Sequence, residues 1–225
     1  MIKLCYCQYV CHHSNFLCPI TSAGEPLAFC AGACYSKFMY TCSSSPPSSS
    51  TIVLLPTVSG PFSLVVDNPA LPALHGKPVT AGGLRWNLAG TTAAYCPVAQ
   101  VGSDACPPGR TTSFVAGDGR VSMNVMVPGG QQVYLDAQQW TMGYTQAHSA
   151  YVPPGSLREG FGAYEGGGFV NLNGGGLGWV ACQEGSGGGW TLRGRNETNA
   201  AGLAGCTGVN LRVVKESGFG AWQYT

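Results

Sequence analysis

The sequence predicts a mainly β protein with a small disulfide-rich module at its N-terminus, a Ser/Pro-rich linker and then an all-β sandwich or barrel. Three observations support this prediction. Seven of the 11 cysteines precede residue 43, a run of serines and prolines follows them directly, and short segments of alternating apolar residues recur through the rest of the 225 residues. The 34 glycines and 15 prolines also favour short strands and turns over long helices.

The N-terminal module is predicted to span residues 1–43 and to need cross-links. A segment this short buries too little apolar surface to fold unaided, so its cysteines should form disulfides or bind metal. Zinc would use Cys11, His12 and His13, but the chain has no CxxC pair and disulfides are favoured. Because the number of cysteines is odd, about one free thiol per chain is expected. The cysteines expected to be oxidised are Cys11, Cys18, Cys30, Cys34, Cys42, Cys96, Cys106, Cys182 and Cys206.

Residues 44–51 are predicted to be a linker, because serines surround a proline pair and none of these side chains favours a core. The start of the chain lacks the apolar stretch and cleavage site of a signal peptide. Cysteines nevertheless crowd against Met1, so we expect an extracellular protein whose N-terminus is truncated or misread here.

Residues 52–225 are predicted to form the all-β domain. Apolar residues alternate in FSLVV, LRWNL, TSFVA, VSMNVMV, QVYLD, GWVAC, WTLRG and VNLRVV, which is typical of strands with one buried face. The clearest hairpin is FVAGDGRVSMNV, closed by residues 117–119. Residues 197–205 alone have weak helical character.

The four later cysteines are expected to form two bridges within this domain. Cys96–Cys106 would close a proline-rich loop, and Cys182–Cys206 would join two late strands. Four cysteines allow three connectivities, so this pairing is a preference among alternatives.

Composition excludes several functions. Charged residues make up 9% of the chain and the net charge is +1, so the chain has no basic surface for nucleic acid. No apolar run reaches 18 residues, so no membrane span is predicted.

The sequence contains no catalytic constellation. It lacks a G-x-S-x-G nucleophile elbow, an H-E-x-x-H metal helix and a G-x-G-x-x-G phosphate loop, and no cofactor or metal is predicted. Glu159 and Glu165 form the one close pair of acids that a glycosidase would need, but solvated loop carboxylates explain them better. His148 has no evident partner and is interpreted as structural.

The module has more aromatic residues than so small a core requires. Aromatic faces hold sugars by packing against C–H faces, while amides or carboxylates bind the hydroxyls. If residues 34–42 are extended, Phe38 and Tyr40 share one side and form a platform, while Tyr35 packs inward. The candidate sugar-binding residues are Tyr9, Asn15, Phe16, Glu25, Tyr35, Phe38 and Tyr40.

Residues 9–43 resemble a known family. The elements YVC, NFLCP, GEP, CAGACYS and YTC occur in order, as in the small carbohydrate-binding module of the family 52 type found on fungal endo-1,3-β-glucanases and cell-wall proteins. The resemblance implies a disulfide-stapled sugar binder. The family's first cysteine normally stands about ten residues before Cys11, and here only CYC precedes it.

The later domain also resembles a family. MGYTQAHSA, GWVACQEGSGGGWTL, NAAGLAGCTGVNLRVV and the closing WQYT are similar to fungal cell-wall proteins of the phialide-development and IgE-binding type. The resemblance implies a secreted, β-rich protein that is not an enzyme.

The two resemblances together predict a non-catalytic cell-wall or secreted protein that binds polysaccharide, with β-1,3-glucan the expected ligand. One alternative is an accessory part of a glucan hydrolase that uses Glu159 and Glu165. Another is an intracellular zinc-binding interaction module. The oligomeric state is not predicted. The one N-x-[S/T] sequon of the chain, at Asn196, is expected to be exposed and glycosylated in a secreted protein.

Overall fold

The computed structural model describes residues 18, 27–31, 33–45, 49–171, 178–185, 188–196 and 198–225. The strands in these ranges begin, in chain order, with β1 (Ala28–Cys30), β2 (Ala33–Tyr35), β3 (Tyr40–Ser45), β4 (Ser49–Leu54), β5 (Phe62–Asp67), β6 (Val79–Gly82), β7 (Arg85–Leu88), β8 (Ala94–Tyr95) and β9 (Phe114–Gly117). They continue with β10 (Arg120–Met123), β11 (Gln131–Leu135), β12 (Met142–Tyr144), β13 (Phe161–Ala163), β14 (Phe169–Asn171), β15 (Gly178–Gln183), β16 (Trp190–Arg195), β17 (Thr207–Lys215) and β18 (Gln223–Tyr224).

Nine of these strands close into a barrel, which confirms the all-β prediction and decides for a barrel over a sandwich. The order around the sheet is β12-β11-β10-β9-β5-β17-β15-β16-β7, and β12 pairs again with β7. β6 extends the sheet beside β7. β5 pairs with β17 over its whole length, from Phe62 opposite Lys215 to Asp67 opposite Asn210. Closure removes the open edges that a flat sheet would expose.

The barrel encloses an aromatic core. Trp86 is 1% exposed, and its ring centroid lies 4.5 Å from that of Phe114 and 5.6 Å from that of Phe169. Phe169 in turn stacks on Trp179. Along β17, Val209, Leu211 and Val213 are buried while the residues between them face outward. The alternation in the sequence therefore reports which face of each strand packs inward.

The predicted hairpin at residues 117–119 joins β9 to β10. Gly117 lies opposite Arg120, so the loop consists of Asp118 and Gly119. Both loop residues have positive φ, 52° and 72°. A two-residue loop with this geometry matches the twist of antiparallel strands, which is why Asp-Gly is favoured there.

The serine-proline segment contributes to a hairpin. β3 pairs with β4 in antiparallel register from Tyr40 opposite Leu54 to Ser45 opposite Ser49. Ser43–Ser45 and Ser49–Ser50 therefore lie in paired strands. The division of the chain into domains at residues 44–51 stays a prediction.

Helical structure is limited in the described residues. One helical turn spans Val98–Val101, and 3₁₀ helices span Ser103–Ala105 and Ala200–Leu203. The last of these falls in the segment with predicted helical character. Within the described part of the chain, no helix combines the length and hydropathy needed to cross a membrane.

Candidate functional site

Two disulfides hold the described part of the N-terminal module. Cys18 is bonded to Cys34 and Cys30 to Cys42, with Cα–Cα distances of 5.6 and 5.9 Å. Both ends of residues 34–42 are thus fixed to other parts of the module. Cys11 lies outside the described residues.

The backbone between these two cysteines is not extended throughout, which corrects the geometry expected from the sequence. Residues 37–39 form a turn in which the N–H groups of Met39 and Tyr40 donate to the Ser36 carbonyl at 3.3 and 2.9 Å. Strand alternation therefore does not apply from residue 35 to residue 40. Phe38 lies at the tip of the turn, and Tyr40 begins β3.

This turn packs against the barrel through Phe38. Gly168 N–H donates to the Phe38 carbonyl at 2.9 Å, and a Cβ added to Gly168 would stand 2.5 Å from Phe38 Cδ1. Only glycine permits this approach, because any side chain would push the ring away. Gly167 lies equally close to the turn, under the Phe38 carbonyl.

Tyr35 and Tyr40 are both half-buried in the module. Tyr35 lies opposite Ala28 in the β1–β2 pair. Tyr40 lies near Tyr164 of the barrel, whose pKa is raised by burial and, to a smaller extent, by Tyr40. Both rings therefore have packing roles beside any part they take in binding.

Phe29 is an aromatic residue that the sequence analysis missed. It is 44% exposed, whereas its neighbour Cys30 in β1 is 4% exposed. In the sequence, Phe29 directly precedes a cysteine expected to form a disulfide, and neighbouring side chains of a strand point to opposite faces. The remaining predicted binding residues, Tyr9, Asn15, Phe16 and Glu25, lie outside the described residues, as do His12 and His13.

A cleft of about 630 Å³ separates the 36–40 turn from the outer face of β5 and β17. Lys37 and Phe38 line it from the turn, and Asp67, Asn210 and Arg212 line it from the sheet. Its size falls within the range typical of small-molecule sites, roughly 300–1,000 Å³. The turn and the barrel thus form the cleft together.

The sheet side of the cleft presents a polar set at fixed spacing. Asp67 and Asn210 lie directly opposite each other in the β5–β17 register, and Arg212 follows on the same outer face. Asp67 Oδ1 lies 3.6 Å from His75 Nδ1. At the rim, Asn68 donates to the Gly208 carbonyl at 2.6 Å, which fixes the chain after β5. The polar residues between Val209, Leu211 and Val213 indicated an outer face, but the sequence did not show that the turn covers it.

Two acids that the sequence singled out have separate partners. Glu159 pairs with Arg120. Glu165 pairs with Lys215 at 2.9 Å and accepts from the N–H and hydroxyl groups of Ser59. The hydrogen bonds from Lys215 and Ser59 lower the pKa of Glu165. A general acid in glycoside hydrolysis requires the opposite shift.

His148 lies exposed in a loop with φ of 62°. A depression of about 310 Å³ beside it is lined by Gln132, Thr145 and Ser149 and by no carboxylate of the described residues. Among those residues, no group of three or more His, Cys, Asp or Glu side chains is arranged to hold a metal ion.

In the barrel domain, Cys96 is bonded to Cys106 and Cys182 to Cys206, the two pairs that the sequence favoured. Asn196 is half-buried, and its Oδ1 accepts from the backbone N–H and the hydroxyl of Thr198 at 2.9 and 2.7 Å. Two hydrogen bonds therefore hold Thr198 against Asn196, whose position is less exposed than the sequence predicted.

These features define a secreted-type β-barrel braced by disulfides, with a small aromatic, cysteine-rich module seated on one face. Comparison with known families agrees. Residues 71–225 match the PhiA-like secreted proteins, and this chain belongs to that family. Residues 6–46 match a family described as carbohydrate binding. Both resemblances found in the sequence are confirmed, and the protein is secreted.

One curated relative is an uncharacterized secreted protein of Arthroderma benhamiae. It is 46% identical over 84 residues, which make up 37% of this chain and 40% of that protein. The match thus spans less than half the length of the relative. No solved structure matches this chain. The two matched families are a binding module and a secreted protein, and neither is known as a catalytic domain.

Proposed function

We propose that this protein is a non-catalytic carbohydrate-binding component of the fungal cell wall or secretome, and that its ligand is β-1,3-glucan. The observation that carries the proposal is the carbohydrate-binding match over residues 6–46, in a module that two disulfides brace and that exposes an aromatic ring. Secretion supports a location in the cell wall or secretome, because a secreted protein can reach wall polysaccharide outside the cell.

Binding would combine stacking with hydrogen bonding. The rings of Tyr9, Phe16, Tyr35, Phe38 and Tyr40 would pack against pyranose C–H faces, and Asn15 and Glu25 would bind hydroxyls. Phe29 joins the proposed rings because 44% of its surface is exposed. The two disulfides reduce the entropy that ordering the site would otherwise cost.

The absence of catalysis is part of the proposal. A hydrolase would need Glu159 and Glu165 to act on one sugar, whereas each has its own cationic partner and the pKa of Glu165 is lowered. Release of reducing sugar from laminarin by the purified chain would contradict the proposal. Bound zinc together with seven or more free thiols would contradict the disulfide-braced module.

Retention of the full chain on insoluble β-1,3-glucan, chitin and cellulose tests the ligand. We expect retention on β-1,3-glucan and a loss of about 1–2 kcal/mol, roughly tenfold in affinity, for Tyr40→Ala or Phe29→Ala. Tyr151→Ala is the matched control, since Tyr151 is 69% exposed on the barrel domain. Circular dichroism checks that each variant is folded. Equal retention of all three variants would remove these rings from the site.

We also propose that Asn196 carries an N-linked glycan. Thr198 is held against Asn196 by two hydrogen bonds, and Asn196 remains partly exposed. Endoglycosidase treatment of the protein secreted from a fungal host should increase its electrophoretic mobility, and Asn196→Gln should remove that change. Unchanged mobility of the wild type would contradict glycosylation.

A further inference from the structure

The cleft between the module turn and the barrel has polar side chains that the fold does not use. Among the described residues, the side chains of Lys37, Asn210 and Arg212 have no hydrogen-bond or ion-pair partner. All three line one cleft, which the module and the barrel form together. Three uncommitted polar groups around a single concave space are a feature of ligand sites more than of a solvated sheet face.

The chemistry of the set suits a sugar. A hydroxyl both donates and accepts, and the cleft offers an acceptor in Asp67, donors in Arg212 and both functions in the Asn210 amide. The register holds Asp67 and Asn210 on facing strands, with neighbouring Cβ atoms about 5 Å apart, which suits adjacent hydroxyls on one ring. The β strands hold this spacing more rigidly than a loop would.

The turn side of the cleft adds one aromatic ring beside Lys37. Phe38 lines the cleft, and Gly168 lets its ring approach the barrel closely. A ring opposite a row of hydrogen-bonding side chains provides a surface for the C–H face of a pyranose and partners for its hydroxyls. The volume of about 630 Å³ admits more than a single small group.

We propose that this cleft is a glucan-binding subsite in which Asp67, Asn210 and Arg212 bind the hydroxyls and Phe38 packs on the ring, so that one glucan chain contacts both module and barrel. The proposal rests on the proposed function and extends it, because it gives the PhiA-like domain a direct part in binding. A glucan long enough to reach both regions binds more tightly than a short one, since its second contact is intramolecular.

The test is calorimetric titration of the full chain with laminarihexaose and laminaribiose. For the double variant Asn210→Ala/Arg212→Ala, the dissociation constant for laminarihexaose should rise about tenfold or more. The difference in affinity between laminarihexaose and laminaribiose should also become smaller. Gln138→Ala/Arg158→Ala is the matched control, because it removes one amide and one guanidinium from exposed positions outside the cleft. Phe38→Leu keeps an apolar contact with Gly168 and should weaken binding by a similar factor.

The outcomes separate this subsite from the proposed function. If the wild type binds laminarihexaose and the double variant binds it equally well, the cleft subsite is overturned while the proposed function stands. If the wild type binds no glucan, the proposed function fails and the subsite with it. Should the double variant not fold, Arg212→Gln alone carries the test, since Arg212 is exposed and lacks partners among the described residues.

Discussion

The N-terminal module and the barrel reach a folded state by different means. Among the described module residues up to 45, Cys30 is buried to the level of a core residue, and two disulfides lie within about 25 residues. The barrel encloses a continuous core that includes Trp86, Phe114, Phe169 and Trp179. The difference shows that cross-links replace buried area where a segment is too short to enclose a core.

The two regions also present aromatic residues differently. In the barrel the rings pack on one another, with Phe161, Phe169 and Trp179 in a stacked series. In the module Phe29 faces solvent and Phe38 lines a cleft. The described rings of the module are therefore more accessible than those of the barrel core.

Replacing Trp86, in the core of the barrel, should have the largest effect on stability. Trp86→Ala is expected to lower the free energy of unfolding by about 3–5 kcal/mol, because a fully buried ring is lost and a cavity remains. Trp86→Phe should cost less, since it keeps an aromatic ring and removes an indole N–H that has no hydrogen-bond partner among the described residues. Urea unfolding measures both, and equal losses for the two variants would contradict cavity formation as the cause.

Removing a module disulfide should destabilise the module and leave the barrel core unaffected. Cys30→Ala/Cys42→Ala is expected to destabilise the module by about 2–4 kcal/mol and to abolish retention on β-1,3-glucan. The barrel core has no part in this bridge, so its thermal transition should stay in place. Proteolysis of the module and calorimetry of the whole chain provide the two readouts.

The matched control is Cys96→Ala/Cys106→Ala, which removes a bridge of similar span from a loop of the barrel domain. This variant should keep its glucan retention. If the barrel transition falls together with the module when Cys30 and Cys42 are replaced, the two regions unfold as one unit.

A smaller effect is expected at the C-terminal strand. The Tyr224 hydroxyl donates to the Thr111 carbonyl at 2.8 Å and accepts from Ser113 N–H at 2.9 Å. Tyr224→Phe leaves these backbone groups without that partner, so a loss of about 1–3 kcal/mol is expected.

The same residue predicts a pH dependence. Burial raises the pKa of Tyr224 to about 12, so the folded state favours the neutral phenol. Its contribution is complete below the unfolded value of about 10 and is lost as the pH rises towards 12. The stability advantage of wild type over Tyr224→Phe should therefore shrink between about pH 10 and about pH 12, the span of the two pKa values. Tyr95→Phe, at an exposed position, serves as control, and an advantage that grows with pH would contradict the assignment.

Long alternating segments were predictable from the sequence, and short strands were not. β11 and β17 alternate between buried and more exposed residues over five or more positions because one face lines the barrel. β12, Met142–Tyr144, has three residues with a glycine at its centre and gives no such pattern. It nevertheless closes the barrel, and a Cβ on Gly143 would stand 2.8 Å from Tyr134 Cζ. That requirement depends on a ring from a neighbouring strand.

The candidate site was also predictable from the sequence only in part. The cysteine density and the surplus of rings pointed to a braced sugar-binding module, since both are local in the chain. The turn at Phe38 was not evident, because its conformation depends on contact with Gly167 and Gly168. Asn210 and Arg212 looked like the outward residues of an ordinary strand.

The sequence by itself determined the all-β class, the inward face of each long strand, the Asp118–Gly119 hairpin and the concentration of cross-links before residue 43. These properties follow from the preferences of residues close together in the chain. The tertiary structure decided that the sheet closes between β7 and β12, that the serine segment pairs in a hairpin, and that Asp67, Asn210 and Phe38 meet at one cleft. Such meetings depend on register between segments far apart in sequence, and that register is set only when the whole core packs.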